Sequence, residues 1–146
     1  EAEVWGTNCR LDNIQAGFGN IMLKNIDKWN KAQLKIAEYY SKNLKDIVGI
    51  PEYDLLISNP SFHQYIIKVK NRTKLQAYLK NNGIDTAIHY PIPIHLQKAF
   101  TNKNIQKLNL PNTMRQSKEI LSLPINQFMT NKELQYISKK INNFYK

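Results

Sequence analysis

The 146-residue chain holds a single cysteine, Cys9, and that scarcity excludes two chemistries at once. One thiol cannot close an intrachain disulfide, and it cannot build a zinc site of the paired-cysteine kind. Nothing beside it in sequence looks like a thiolate-activating environment, so Cys9 reads as a small hydrophobe. Acidic residues are few as well: 11 Asp and Glu stand against 21 Lys and Arg, for a net charge of +10. Paired carboxylates suited to acid and base work are correspondingly scarce. Arginine is rarer still, present only as Arg10, Arg72 and Arg115. The cationic excess is therefore lysine, scattered along helix-like stretches, whereas bidentate reading of phosphate or guanine favours arginine's planar fork. A solvated lysine surface is the reading, able to attract a phosphorylated ligand by its field. No apolar run approaches the roughly 18–20 residues that span a bilayer. No basic-then-apolar leader opens the chain. Neither nucleic acid nor membrane is an expected partner, and a cytoplasmic location is expected. Glu1 stands where a methionine would begin a complete protein, so a piece of something longer is also expected.

What is present is enough for one folded domain. Hydrophobic residues make up 42% of the chain, with eight tyrosines and five phenylalanines among them. Apolar positions at Ile14, Phe18, Ile21, Met22, Ile26 and Trp29, then Leu34, Ile36, Ala37, Tyr40, Leu44 and Ile47, keep a three-or-four spacing. They predict one long helix, or two with a bend, over 13–47, with Asp12 or Asn13 as its N-cap. Gly17 and Gly19 weaken its first turns, and close packing against another element is the expected excuse. The stretch 62–70 alternates as a strand, and 71–83 reads as a helix that Gly83 stops. A second strand over 84–90 is ended by Pro91 and Pro93, which cannot donate to a ladder. A helical turn follows from His95 to Phe100. A helix from Pro111 then leads into a short strand at 121–124, and Thr130 with Glu133 forms a capping box for the last helix. The order predicts an α/β (α+β layer) domain with a sheet of about three strands and flanking helices.

Two of the three histidines, His89 and His95, lie in the stretch "AIHYPIPIHLQKAF". Residues before proline are driven to extended backbone. At roughly 3 Å per residue the two Cα atoms fall about 12–18 Å apart. A shared metal would require the chain to double back, so no metal site is expected. There is no Gly-x-Ser-x-Gly elbow. The Gly-x-Gly at 17–19 follows no strand, and no Gly-Lys-Ser/Thr phosphate loop exists. No catalytic residue is nominated. On these residues alone the chain reads as an accessory domain whose histidines end strands or hydrogen-bond locally.

Four blocks, in order along the chain, carry a resemblance. "GTNCRLDNIQAG" resembles the G-x-N-x-R-(L/M)-D-x-x-Q-A-A stretch of the DegT/DnrJ/StrS-type sugar-nucleotide aminotransferases. "KIAEYYSKNL" is similar to the long helix that follows it, "NNGIDTAIHYPIPIHLQKAF" to the G-I-x-T-x-x-H-Y-P-x-P-x-H-L-Q block, and "EILSLPINQFMTNKELQYISKKINNFY" to the closing S-L-P segment. Gln33 departs where the family often has arginine, and Gly17 and Gly19 replace alanine or larger residues.

The resemblance implies a fold-type-I enzyme that uses pyridoxal 5'-phosphate (PLP) and works as a homodimer. It implies that residues 1–146 are its C-terminal small domain, with 1–47 linking to a larger PLP-binding domain. The intact enzyme would move an amino group from an amino acid, glutamate being expected, to a nucleotide-linked keto sugar. Such enzymes serve polysaccharide, lipopolysaccharide or deoxyamino-sugar biosynthesis. No lysine here matches the Schiff-base segment, so this chain alone is expected to be inactive. By position, Asn8 would reach the cofactor phosphate across the dimer. Arg10, His89, Tyr90 and His95 would contact the substrate. Two alternatives stay open: a stand-alone basic module that binds nucleic acid, and an inactive remnant of an interrupted gene.

Overall fold

A computed structural model describes residues 11–97 and 108–146. Asn8, Cys9, Arg10 and Phe100 lie outside the described residues. The elements run α1 (Asn13–Leu23), α2 (Ile26–Leu44), β1 (Tyr65–Lys68), α3 (Arg72–Asn81), a 3-10 turn (Ile94–Leu96), α4 (Pro111–Glu119), β2 (Ile120–Leu123) and α5 (Asn131–Tyr145). This is the α/β layer expected.

At its centre β1 and β2 pair antiparallel, with Tyr65 opposite Leu123, Ile66 opposite Ser122 and Ile67 opposite Leu121. Side chains alternate across a strand, so Tyr65, Ile67, Leu121 and Leu123 share one face. That face is buried, and α2, α3 and α5 supply the rest of the core through Tyr40, Leu44, Leu75, Leu79, Leu134, Ile137 and Ile141. The phenol of Tyr40 donates to the Pro124 carbonyl at 2.9 Å. Tyr65 and Ser41 share a hydroxyl hydrogen bond at 2.8 Å. The two tyrosine rings lie 5.2 Å apart between these polar ends. Burial pushes the Tyr40 phenol well above its ordinary pKa, and the neighbouring Tyr65 adds to the effect. The long helix is thus bolted to the sheet by hydrogen bonds at the rim of an apolar core.

The expected third strand contracts to one bridge, Ala87 with Ser122. After Ala87 the chain leaves the ladder, and Pro91 and Pro93 could not have extended the pairing. A second bridge joins Gly49 to Lys68 on the far edge of β1. A Cβ at Gly49 would stand 3.0 Å from that of Lys68, a close approach that glycine makes without displacing its neighbour.

Local signals act as read. Gly83, at φ +73°, donates to the Lys80 carbonyl while Ile84 donates to Leu79, the Schellman arrangement that ends α3. The Thr130 amide donates to Glu133 at 2.7 Å, and the Glu133 amide returns a bond to the threonine hydroxyl. The expected helix over 13–47 is two, separated at Lys24 and Asn25. Asp12 is the N-cap of the first, its amide bonded to the Gln15 side chain. The expected packing at Gly17 and Gly19 is not found among the described residues: nothing lies within 4 Å of a Cβ added at either. None of α1 is buried, and Ile14, Phe18, Ile21 and Met22 form an exposed apolar stripe.

Two stability predictions follow from these contacts. Leu79→Ala, at a fully buried core position, should cost about 2–5 kcal/mol, whereas Tyr40→Phe should cost about 1 kcal/mol through the orphaned carbonyl. Urea unfolding followed by circular dichroism measures both. The cap carries a pH signature: hydrogen bonds from Thr130 hold the Glu133 carboxyl below its ordinary value of 4.5. A lowered acid pKa stabilises the fold above that ordinary value, and the contribution is lost as pH falls through the lowered one. The difference in unfolding midpoint between the native chain and Thr130→Ala should therefore shrink on acidification below pH 4.5.

Candidate functional site

Helices α2, α3 and α5 pack on one face of the sheet, and the alternate residues of β1 and β2 point to the other. Gln64, Ile66 and Lys68 form one row, Ile120 and Ser122 the next. Cleft formation begins here. A cavity of about 550 Å³ lies over this face, lined among others by Glu52, Gln64, Ile66, Lys68, His89, Gln116 and Ile120. A smaller one of about 270 Å³ holds His63, Gln64, Asp85, Thr86, His89 and Ser122. Gln64 and His89 line both, so the two clefts meet at that pair.

His89 owes its place to the same departure of the chain from the ladder. The Ala87 bridge to Ser122 pins the segment, with the Ser122 amide donating to the Ala87 carbonyl at 2.8 Å. Two residues on, His89 Nδ1 stands 2.9 Å from the Ser122 hydroxyl. Tyr90 is 68% exposed, and its ring meets that of His89 edge to face at 5.4 Å. His95 sits in the 3-10 turn, 7% exposed, and lines neither cleft. The structure brings the rings of His89 and Tyr90 together, and His95 is not among the residues lining these clefts.

Several lining residues were not singled out in the sequence. His63, Gln64 and Lys68 sit within the alternating stretch "FHQYIIKVK", whose period places Gln64, Ile66 and Lys68 on one face. Gln116 and Ser122 gave no local signal, since their membership depends on which segments cover the sheet.

The chemistry on offer is binding. The lining presents an ammonium, two carboxamides, imidazoles and two carboxylates on an apolar floor, a set suited to a hydroxyl-rich or phosphorylated ligand. Among the described residues no group of three or more His, Cys, Asp or Glu side chains is placed to hold a metal ion. The described residues do not by themselves fit PLP. Among the described residues Lys68 is the only lysine along either cleft, it lies exposed at the end of β1, and no glycine-rich turn joins it there as a phosphate cradle.

Comparison with known proteins extends this. The profile of the DegT/DnrJ/EryC1/StrS aminotransferase family matches residues 1–142. A pleiotropic regulatory protein of Geobacillus stearothermophilus is 35% identical over 150 residues, covering 98% of this chain and 39% of that protein. The dTDP-3-amino-3,4,6-trideoxy-alpha-D-glucose transaminase of Streptomyces venezuelae is 34% identical over 127 residues, covering 84% of this chain and 33% of its own length. The crystal structure of S. venezuelae DesV in complex with a ketimine intermediate superposes with a TM-score of 0.87 at 28% identity, over 99% of this chain and 39% of that one. The chain thus spans well under half the length of these relatives. Family profile, sequence identity and fold coincide along nearly the whole chain, which belongs to the DegT/DnrJ/EryC1/StrS aminotransferase family.

Proposed function

We propose that this chain is the C-terminal small domain of a PLP-dependent enzyme that aminates a nucleotide-linked keto sugar. An amino acid, glutamate by preference, is the donor. The family works with PLP. The observation that carries the reading is the polar cleft on the uncovered sheet face, in a fold aligned from end to end with sugar aminotransferases. The mismatch between that cleft and PLP supports a division of labour. A preceding segment holds the cofactor and the reactive lysine, and this domain supplies one wall of the sugar-nucleotide site. His89, Lys68, Gln64 and Gln116 are assigned to that wall, with Tyr90 at its rim. Asn8 and Arg10 keep the roles that family position suggests, toward the cofactor phosphate of a homodimer partner and toward the substrate. When bound, PLP supplies an electron sink for the amino transfer. This chain's residues bind and orient the sugar.

The apolar stripe of α1 supports the same reading. A helix that leaves Ile14, Phe18, Ile21 and Met22 uncovered presents a surface suited to protein rather than water. It fits the linking role proposed for residues 1–47. A soluble biosynthetic setting in the cytoplasm and a homodimeric assembly belong to the proposal.

Borohydride reduction of the 146-residue chain mixed with PLP should leave no stoichiometric pyridoxyl-lysine, read by mass spectrometry of its peptides. One lysine labelled to completion would overturn the division of labour. Calorimetric titration with a dTDP-sugar should show binding that Lys68→Ala and Gln64→Ala each weaken by about 1 kcal/mol. Salt-dependent binding to random DNA, with none to the sugar nucleotide, would instead establish the chain as a nucleic-acid module.

A further inference from the structure

Ser122 is the one polar residue of β2, and it is buried, with 6% of its surface exposed. It stands on the outward face, opposite Ile66 on one side and bridged to Ala87 on the other. Its amide and carbonyl are both engaged by Ala87. The hydroxyl has one partner among the described residues, His89 Nδ1 at 2.9 Å.

A serine hydroxyl carries one proton, and leaving a buried donor without an acceptor is costly. Two arrangements of the neutral pair are conceivable. If Nδ1 bore the imidazole proton, it would donate to Oγ, and the serine proton would have no acceptor among the described residues. If Nδ1 is bare, the serine donates to it and both groups are satisfied. The hydrogen bond made by one ring nitrogen sets which nitrogen is protonated. We propose that Ser122 is a positioning residue that donates to Nδ1 and holds His89 as the Nε2–H tautomer.

The ring then offers one polar hydrogen to a ligand in either cleft, at Nε2. That donor accepts the approach of a hydroxyl, carbonyl or phosphate oxygen and disfavours an ammonium group, which has only donors to give. Applied to a nucleotide sugar, it selects an oxygen-bearing face of the ligand at His89. This application rests on the proposed function, whereas the tautomer does not.

Long-range proton–nitrogen correlation spectra of the 146-residue chain with labelled imidazoles read the tautomer directly. At about pH 8.5, two units above the ordinary histidine value, His89 should show a bare Nδ1 and a protonated Nε2. His63, which makes no hydrogen bond within the described residues, serves as the tautomer-averaged reference. Ser122→Ala should move His89 to the averaged pattern, and Ser122→Thr, which keeps the hydroxyl, should restore the single tautomer. A protonated Nδ1 in the native chain, or a single tautomer that survives Ser122→Ala, would overturn the assignment. Should the alanine variant fail to fold, the native spectrum decides. Coupling between Nδ1 and the Ser122 hydroxyl proton supports the assignment, and its absence refutes it. Titration with a dTDP-sugar then separates the two readings. An unmoved Nε2 signal with the tautomer intact counts against the nucleotide-sugar function and leaves the Ser122 assignment standing.

Discussion

The pairing of β1 with β2 is the constraint from which the rest of the molecule follows. Four residues on each strand, in a single register, sort the chain into two faces. A slip of one residue would turn Tyr65, Ile67, Leu121 and Leu123 toward water and draw Lys68 into the core. Register is therefore strongly specified, even though so short a pair would be marginal without the helices packed on it. Helices α2, α3 and α5 cover one face completely. Among the described residues no helix covers the other face in the same way, and the clefts lie there. The core and the cleft are two sides of one alternation.

Polar groups within this arrangement are placed with economy. The Tyr40 and Tyr65 hydroxyls reach the Pro124 carbonyl and the Ser41 hydroxyl, so two large rings are buried without orphaning their oxygens. Ser122 does the equivalent on the opposite face, where its partner is a ring that borders the clefts. The first two contacts hold the fold together. The third joins a buried hydroxyl to an imidazole that lines both clefts. That difference explains how a buried serine comes to sit in a strand of otherwise apolar residues.

Much of this was legible along the chain. The alternation of "FHQYIIKVK", the stop at Gly83 and the reciprocal pair Thr130 and Glu133 are local, and each acts as its chemistry dictates. The four blocks of family resemblance likewise located the elbow bearing His89. The misjudged features share a different cause. Ser122 matters only because Ala87 bridges to it and the His89 ring reaches its hydroxyl, 33 residues earlier in the chain for the hydrogen-bonded pair. The expected third strand is reduced to one bridge, since the chain leaves the ladder after Ala87. Gly17 and Gly19 were expected to touch a neighbour, yet among the described residues none lies within 4 Å of a Cβ added at either. Periodicity reports which side of an element is apolar, and it is silent about what that side meets.

The two uncovered surfaces differ in kind, and the difference bears on how the helices hold. The sheet face is floored by Ile66 and Ile120 but rimmed by Gln64, Lys68, Glu52 and Gln116, so water can occupy it at little cost until a polar ligand arrives. The stripe on α1 has no such rim. Each of its large side chains would contribute about 1.5–3 kcal/mol on full burial, and in this chain that contribution is unclaimed. An 11-residue helix is short enough to be marginal in water without tertiary support, and Gly17 and Gly19 lower its propensity further. Helix α2 escapes the problem because Ile36, Ala37, Tyr40 and Leu44 are buried against the core. The persistence of α1 is thus tied to whatever covers Ile14, Phe18, Ile21 and Met22, and the break at Asn25 separates a helix the domain supports from one that depends on its surroundings.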